Sequence, residues 1–131
     1  MDYANYKIYH FTSTDFKKRA NAAYLMGAYL IIFRNKTAEE AWSLFDKVDP
    51  PFVPFRDALA GDCTYDCTIL DCLRGLEYGI KLNWYNPKLF KTQEYEFYEK
   101  LENGDMNWVI PGKMLAFSSP SNTTHDSEGV K

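Results

Sequence analysis

The residues most able to do covalent chemistry in this 131-residue chain are its three cysteines, Cys63, Cys67 and Cys72. A cysteine that hydrolyses a phosphate ester needs a reactive thiolate and an arginine six positions later that grips the phosphoryl oxygens with two hydrogen bonds. The residues six positions after the three cysteines are Ile69, Leu73 and Tyr78. The spacing therefore predicts that no cysteine of this sequence performs that reaction, and we predict no catalytic residue.

The segment from His10 to Arg19 is a second candidate for phosphate chemistry. A strand, a polar turn and the start of a helix form a layout that suits anions, because free backbone N–H groups and the helix dipole both favour negative charge. In this segment Phe11 takes the position of the nucleophile, and Lys17 stands six positions later. We interpret His10, Phe11, Lys17 and Arg19 as a degenerate phosphate loop. As to present binding, we favour the alternative, in which Lys17, Lys18 and Arg19 form a solvated first helical turn and His10 is a packed strand histidine.

An acidic segment lies between Glu94 and Asp105. It contains five carboxylates and one basic residue, Lys100. This local charge, with a net charge of -3 for the chain, disfavours nucleic acid as a partner and favours a basic peptide. On a helix Glu96 and Glu99 would be surface neighbours, since residues three apart lie on the same side. The alternative interpretation is an acidic helix face in contact with water only.

The cysteine count also bears on metal and disulfide sites. Three is an odd number, and the three cysteines fall within one predicted helix. A zinc site would need a fourth ligand, and the histidines are His10 and His125. We therefore predict reduced, mostly buried thiols, with no metal and no cofactor.

Composition indicates a folded domain, with 46% hydrophobic and 17% aromatic residues. The N-terminus lacks the basic and apolar regions of a secretory signal. The longest uncharged apolar run, residues 20–33, is shorter than the roughly 18 to 20 residues that span a bilayer. We expect no membrane contact and a location in the cytoplasm, the nucleus or both.

The first two-thirds of the chain read as one strand and three helices. The predicted strand covers Tyr6 to Phe11 and is followed by a turn, Thr12 to Asp15. The first helix carries a stripe of small residues, namely Ala20, Ala23 and Gly27. Thr37 and Glu40 form a capping box for a second helix to Val48. An extended proline-rich loop leads to a third helix, from about Thr64 to Tyr78, closed by Gly79.

The last third of the chain contains weaker signals. Asn86 and Pro87 suggest a short helical turn, and Thr92 is predicted to cap a helix that ends at Asn103 and Gly104. Phe97, Tyr98 and Leu101 cluster on one side of that helix. The apolar runs within Trp108 to Phe117 predict a hairpin or a strand of another sheet, around the turn at Pro111.

Several segments together resemble the cell division cycle fourteen dual-specificity protein phosphatases. The resemblance covers roughly Tyr6 to Pro120 and is carried by HFTSTDFKKRANAAYLMGAY, PPFVPFRDA, CTYDCTILDCLRGL and YEFYEKLENGDMNWVIPGKMLAF. In that family two phosphatase-like domains lie in tandem, joined by a linker helix, and the second carries the catalytic cysteine. The resemblance implies an α/β, helix-rich fold that is part of a phosphatase-like domain.

The resemblance also implies a domain layout. Residues 1–81 correspond to the C-terminal half of the non-catalytic domain, 82–105 to the linker helix region, 106–120 to the opening strand of the catalytic domain, and 121–131 to a disordered tail. The catalytic domain itself is expected to be missing from this sequence, and it would be a partner if the chain is a fragment.

The function that the resemblance implies is recognition of phosphorylated protein substrates. In the family, linker carboxylates help to form an acidic groove that favours a basic residue downstream of a phosphoserine-proline pair. The matching positions in YEFYEKLENGD are Glu96, Glu99 and Asp105. The alternative is a stand-alone interaction module, a pseudophosphatase fragment that binds basic peptides.

Overall fold

The computed structural model describes residue 5, residues 7–57 and residues 61–118. The chain divides into two compact units, Met1–Tyr78 and Gly79–Lys131. In chain order the helices are α1 (Phe16–Arg34), α2 (Ala38–Trp42), α3 (Ile69–Lys81) and α4 (Thr92–Tyr98), with a 3-10 helix at Leu101–Asn103. The strands are β1 (Phe55–Arg56), β2 (Asp66–Cys67), β3 (Met106–Ile110) and β4 (Met114–Phe117). The predicted α/β, helix-rich fold class is confirmed.

Helix α1 begins at Asp15, whose carboxylate accepts the N–H of Lys18 at 2.9 Å. This cap satisfies one of the backbone donors that a helix start leaves without a partner. The helix ends at Asn35, which takes the left-handed conformation with φ 53°. Its buried residues are Ala20, Ala23, Gly27 and Ile31, so the predicted small-residue stripe faces the core.

Helix α2 has the predicted capping box. The Thr37 hydroxyl accepts the N–H of Glu40 at 3.1 Å, and the Glu40 carboxylate accepts the N–H of Thr37 at 2.9 Å. The helix ends at Trp42, however, and the prediction that it continues to Val48 was wrong. The Ser43 hydroxyl donates to the Glu40 carbonyl at 2.8 Å, a local bond that competes with helix propagation.

Helix α3 differs from its prediction at both ends. The predicted first turn from Thr64 is replaced by strand β2, which pairs with β1 in an antiparallel register, Phe55 opposite Cys67. The helix then continues through Gly79 to Lys81, and Asn83, with φ 55°, takes the left-handed position predicted for that glycine. The Trp84 N–H closes the end by donating to the Gly79 carbonyl at 2.8 Å.

Polar contacts hold α2 against α3. The Arg74 guanidinium donates to the Glu39 carboxylate at 2.8 Å, and the Glu77 carboxylate accepts the N–H of Ala38 at 2.9 Å. The hydrogen bond from Arg74 lowers the pKa of Glu39 below its usual value. Beneath these contacts lies the described core, formed by Ala20, Ala23, Ile31, Ala38, Ala41, Ile69 and Leu73. All of these residues belong to the first unit.

The predicted strand from Tyr6 to Phe11 was wrong for the residues that can be compared. Residues 7–11 form no strand and are exposed, while Tyr6 lies outside the described residues. A strand needs a neighbour for its backbone N–H and C=O groups, and the described sheets are β1 with β2 and β3 with β4. Alternating side chains alone do not supply that neighbour.

The second unit consists of α4, the 3-10 helix and a β-hairpin. Helix α4 begins after Lys91, which makes no side-chain cap, so the prediction of Thr92 as the cap was wrong. Lys100 has an extended backbone, and it splits the predicted helix before the 3-10 turn that ends at Gly104, φ 105°. Around Pro87 the chain makes a turn without a helix.

The predicted hairpin is present in the second unit. Strands β3 and β4 pair antiparallel, from Met106 opposite Phe117 to Ile110 opposite Met114. The tail predicted for residues 121–131 lies outside the described residues, and the predicted domain layout stays a prediction. Among the described helices, none has the length and apolar character that crossing a bilayer requires.

Candidate functional site

The predicted degenerate phosphate loop does not form a pocket around Phe11. Phe11 is 91% exposed, and His10 and Lys17 are exposed as well. Lys17 lies in the first turn of α1. The aromatic ring at the position of the nucleophile therefore points into solvent. The assignment of these residues to a former phosphate loop stays a prediction.

Arg19 is the member of that set with defined contacts. One guanidinium nitrogen, Nη2, donates to the Pro50 carbonyl at 2.6 Å, and the guanidinium carbon lies 5.0 Å from the centre of the Phe52 ring. A stacked, hydrogen-bonded guanidinium ties α1 to the proline-rich loop. The contacts give Arg19 a structural role in this conformation.

The three cysteines do not share a helix, contrary to the prediction. Cys63 lies in the loop before β2 and is exposed, Cys67 belongs to β2, and Cys72 belongs to α3. Cys67 and Cys72 are half-buried, so the predicted burial was wrong for Cys63 and incomplete for the other two. Their sulfur atoms lie 3.4 Å apart. No cluster of three or more His, Cys, Asp or Glu side chains suited to a metal occurs in the part of the chain that the structure describes.

The predicted acidic residues all belong to the second unit. Glu96 is exposed on α4, and Glu99 follows that helix and donates its N–H to the Tyr95 carbonyl at 3.0 Å. Asp105, half-buried, precedes β3 in the left-handed conformation with φ 45°. Because α4 packs against β3, the three carboxylates are carried by neighbouring elements.

Residues of the second unit line an open cleft of about 620 Å³. We call it the aromatic cleft, after the side chains that line it: Trp84, Tyr85, Phe90, Tyr95, Tyr98 and Trp108. Phe90 is central among them, because its ring lies 6.1 Å from that of Tyr85 and 5.6 Å from that of Tyr95. Glu94 also lines the cleft and pairs with Lys91 at 3.4 Å. None of the three predicted acidic residues is among the lining residues.

The aromatic cleft was not predicted from the sequence. A signal was present, since 7 of the 25 residues from 84 to 108 are aromatic, against 17% of the chain. That density marks a surface that binds an apolar partner or packs against one. Periodicity could not reveal the cleft, because its lining comes from a turn, a helix and a strand.

The chemistry available to this unit is binding. Exposed carboxylates attract Lys or Arg side chains, and an aromatic cleft accommodates aliphatic groups, including proline rings. The most exposed candidate nucleophile, Cys63, lies in the first unit, where its sulfur contacts the Tyr65 carbonyl at 3.0 Å.

Comparison with known proteins defines the family. Residues 1–79 match the family model described as "Dual specificity protein phosphatase, N-terminal half". The chain belongs to this family. Similar proteins include "Dual specificity protein phosphatase CDC14A" of Mus musculus and of Homo sapiens, each 53% identical over 115 residues, which cover 87% of this chain and 19% of each relative.

A third relative extends the match. "Dual specificity protein phosphatase CDC14B" of Mus musculus is 42% identical over 123 residues, covering 94% of this chain and 25% of that protein. The chain thus spans about a fifth to a quarter of the length of these relatives. The recognised resemblance to cell division cycle fourteen phosphatases is confirmed. The family model ends at residue 79, beside the boundary between the two compact units.

Proposed function

We propose that this chain is a non-catalytic part of a CDC14-type dual-specificity phosphatase that helps to select its substrates. Glu96, Glu99 and Asp105 form an acidic groove for a basic residue downstream of a phosphoserine-proline pair. The observation that carries the proposal is the exposure of Glu96 and Glu99 at the end of α4, beside the hairpin strand that Asp105 precedes. The proposal combines this placement with the membership of the chain in the dual-specificity phosphatase family.

The electrostatics of the segment support a basic ligand. Five carboxylates lie between Glu94 and Asp105, and the bases nearest to them in the sequence are Lys91 and Lys100. Glu94 is paired with Lys91, whereas Glu96 and Glu99 are exposed to an incoming cation. An exposed ion pair contributes about 0.2 to 1 kcal/mol, so two carboxylates acting together give modest, salt-sensitive selectivity.

Catalysis belongs, in this proposal, to a domain outside these 131 residues. No cysteine of the chain has an arginine six positions later. The partners are therefore phosphorylated protein substrates and the catalytic domain itself, in the cytoplasm or the nucleus. The chain should show no hydrolysis of aryl phosphates above background when it is assayed by itself.

A second candidate function is a stand-alone module that binds basic peptides. The observation that favours it is the aromatic cleft, because an exposed apolar surface of this size can hold a peptide without any catalytic domain. The two candidates differ in whether this chain holds a ligand by itself. In substrate selection the groove adds a preference for a downstream basic residue to a phosphate site on the catalytic domain, whereas a stand-alone module binds a basic peptide without that domain.

Charge reversal at single positions tests the groove. Two phosphoserine-proline peptides, identical except for Lys or Ala downstream, are titrated against the chain by fluorescence anisotropy. We expect Glu96→Lys and Glu99→Lys each to weaken the Lys peptide about three- to tenfold while changing the Ala peptide less than twofold. The matched control is Glu102→Lys, which makes the same charge change at an exposed acidic position outside the predicted groove.

The outcomes separate the hypotheses. Equal losses for both peptides would remove specific recognition of the basic residue. A loss with Glu102→Lys as large as with Glu96→Lys would show attraction by net charge without a groove. Tight binding of the unphosphorylated Lys peptide by the chain alone would favour the stand-alone module.

A further inference from the structure

We propose that Cys67 and Cys72 form a redox-active dithiol, a site at which a peroxide converts two thiols into one intramolecular disulfide. Their sulfur atoms lie 3.4 Å apart, and both side chains are half-buried. The proposal concerns the first compact unit and is independent of the acidic groove and of any catalytic cysteine.

The pair is positioned by the start of α3. The Thr68 hydroxyl accepts the N–H of Asp71 at 3.1 Å, and the Asp71 carboxylate accepts the N–H of Thr68 at 3.1 Å, which together form a capping box. In such a start the residue before the cap packs against the fourth helical residue. Those two positions are Cys67 and Cys72 here, so two sulfur atoms stand where two apolar side chains ordinarily meet.

The strand β2 fixes the other side of the pair. Cys67 lies opposite Phe55 of β1 in the antiparallel register. The Cys72 N–H donates to the Thr68 carbonyl at 3.1 Å, within the first helical turn. The backbones of both cysteines are thus hydrogen-bonded. Disulfide formation would shorten the distance between the two sulfur atoms by about 1.4 Å, from 3.4 Å to the usual bond length of about 2.0 Å.

Cys63 is excluded from this pair by its own contacts. Its sulfur lies 3.0 Å from the Tyr65 carbonyl oxygen and 3.5 Å from a carboxylate oxygen of Asp66. It is exposed in the loop, whereas the other two sulfur atoms touch each other. The chain therefore carries one preformed sulfur pair and a third thiol that serves as an internal control.

The reaction balances with hydrogen peroxide as the oxidant. The Cys67 thiolate attacks one peroxide oxygen, the O–O bond breaks, and the departing hydroxide takes up a proton to leave as water. The Cys72 sulfur then attacks the resulting Cys67 sulfenic acid, the S–O bond breaks, and the hydroxyl leaves with the Cys72 proton as a second water. Two electrons pass from the sulfur atoms to the peroxide.

The order of attack follows from the environment of Cys72. Partial burial raises the pKa of the Cys72 thiol to about 11, and the neighbouring Cys67 sulfur and Asp71 carboxylate add to the rise. Cys72 is therefore protonated at neutral pH. A protonated thiol is a poor nucleophile, so the first attack is assigned to Cys67, and Cys72 gives up its proton as it attacks the sulfenic acid in contact with it.

Peptide mapping after oxidation tests the proposal, because the sequence separates the three cysteines. Cleavage before each aspartate releases Cys63 in residues 62–65, Cys67 in residues 66–70 and Cys72 in the peptide that begins at residue 71. The folded 131-residue chain is treated with hydrogen peroxide, its remaining thiols are blocked with N-ethylmaleimide, and the digest is analysed by mass spectrometry. We expect the 66–70 peptide linked to the 71 peptide at least tenfold more often than either is linked to 62–65.

Two controls make the test decisive. Cys63→Ser should keep the link, whereas Cys67→Ser and Cys72→Ser should each abolish it. Oxidation in concentrated guanidinium should lose the tenfold preference, because it removes the capping box. The proposal is overturned by the same distribution of links in folded and denatured chain, by loss of the link in Cys63→Ser, or by maleimide on both Cys67 and Cys72 after peroxide treatment.

Discussion

At the scale of single residues, the two cations Lys17 and Arg19 at the start of α1 have different surroundings. Lys17 and Arg19 look alike in the sequence, as cations at a helix start. Arg19 spans to Pro50 and Phe52, whereas Lys17 is exposed. These contacts join residues about 30 positions apart, so no local sequence pattern predicts them.

Replacing Arg19 tests this structural role. Arg19→Ala removes a charged hydrogen bond to the Pro50 carbonyl and the stacking on Phe52, so we expect a loss of about 1 to 3 kcal/mol in the free energy of unfolding. Urea denaturation of the chain measures it. Lys17→Ala is the matched control and should cost less than about 0.5 kcal/mol. Equal midpoints for the two variants would contradict the role assigned to Arg19.

At the scale of elements, the close approach of α1 and α3 depends on the absence of a side chain at Gly27. A Cβ built there would lie 2.8 Å from both terminal methyl groups of Leu73, which is fully buried. Gly75 is a useful comparison, because a Cβ there meets no atom within 4 Å.

The same substitution should therefore have opposite effects at these two glycines. Gly27→Ala should lower the free energy of unfolding by about 1 to 3 kcal/mol through overpacking. Gly75→Ala should raise it by up to about 1 kcal/mol, because alanine favours the helix more than glycine does. Thermal unfolding followed by circular dichroism measures both. A stabilising Gly27→Ala would show that α1 and α3 do not pack as described.

Elements with local signals were predictable, and those that depend on distant partners were not. The Thr37–Glu40 capping box and the small-residue stripe of α1 are local patterns, and both are present. The β1–β2 pair joins Phe55 to Cys67 across a loop, and its two-residue strands are too short to show alternation. The supposed strand before Phe11 alternates well but has no neighbour in the described sheets.

The candidate site also depends on contacts that local sequence patterns do not predict. Glu96 and Glu99 are exposed, but so is every residue from 91 to 102, so an apolar helix face does not explain their exposure. The aromatic cleft has no local signal either, because it requires the turn at Trp84 and the strand at Trp108 to meet α4. The acidic residues were predicted from the resemblance to a known family, whereas the cleft became visible only in the structure.

At the scale of the whole molecule, buried residues are distributed unequally between the two compact units. Every described core residue, from Ala20 to Leu73, lies in the first unit. In the second unit α4 has no buried residue, and Phe97 and Trp108 are among its exposed large side chains. An apolar surface without cover contributes little to stability, so the second unit should open more readily.

Hydrogen exchange measures this inequality directly. Amides of α1 and of α3 up to residue 78 should exchange at least tenfold more slowly than those of α4 and the β3–β4 hairpin, because local opening costs more where apolar side chains are buried. Peptide-resolved mass spectrometry of the 131-residue chain provides the comparison. Equal protection in both units would contradict the described distribution of the core.

The affinity ratio of the unaltered chain for two peptides tests the proposed function most directly. A phosphoserine-proline peptide with a downstream Lys is compared with its Ala counterpart at low and at high salt. The acidic groove predicts binding of the Lys peptide about three- to tenfold tighter at low ionic strength, with the ratio falling toward one near 1 M salt, where charges are screened within about 3 Å. A ratio of one at low salt would contradict the role assigned to Glu96, Glu99 and Asp105.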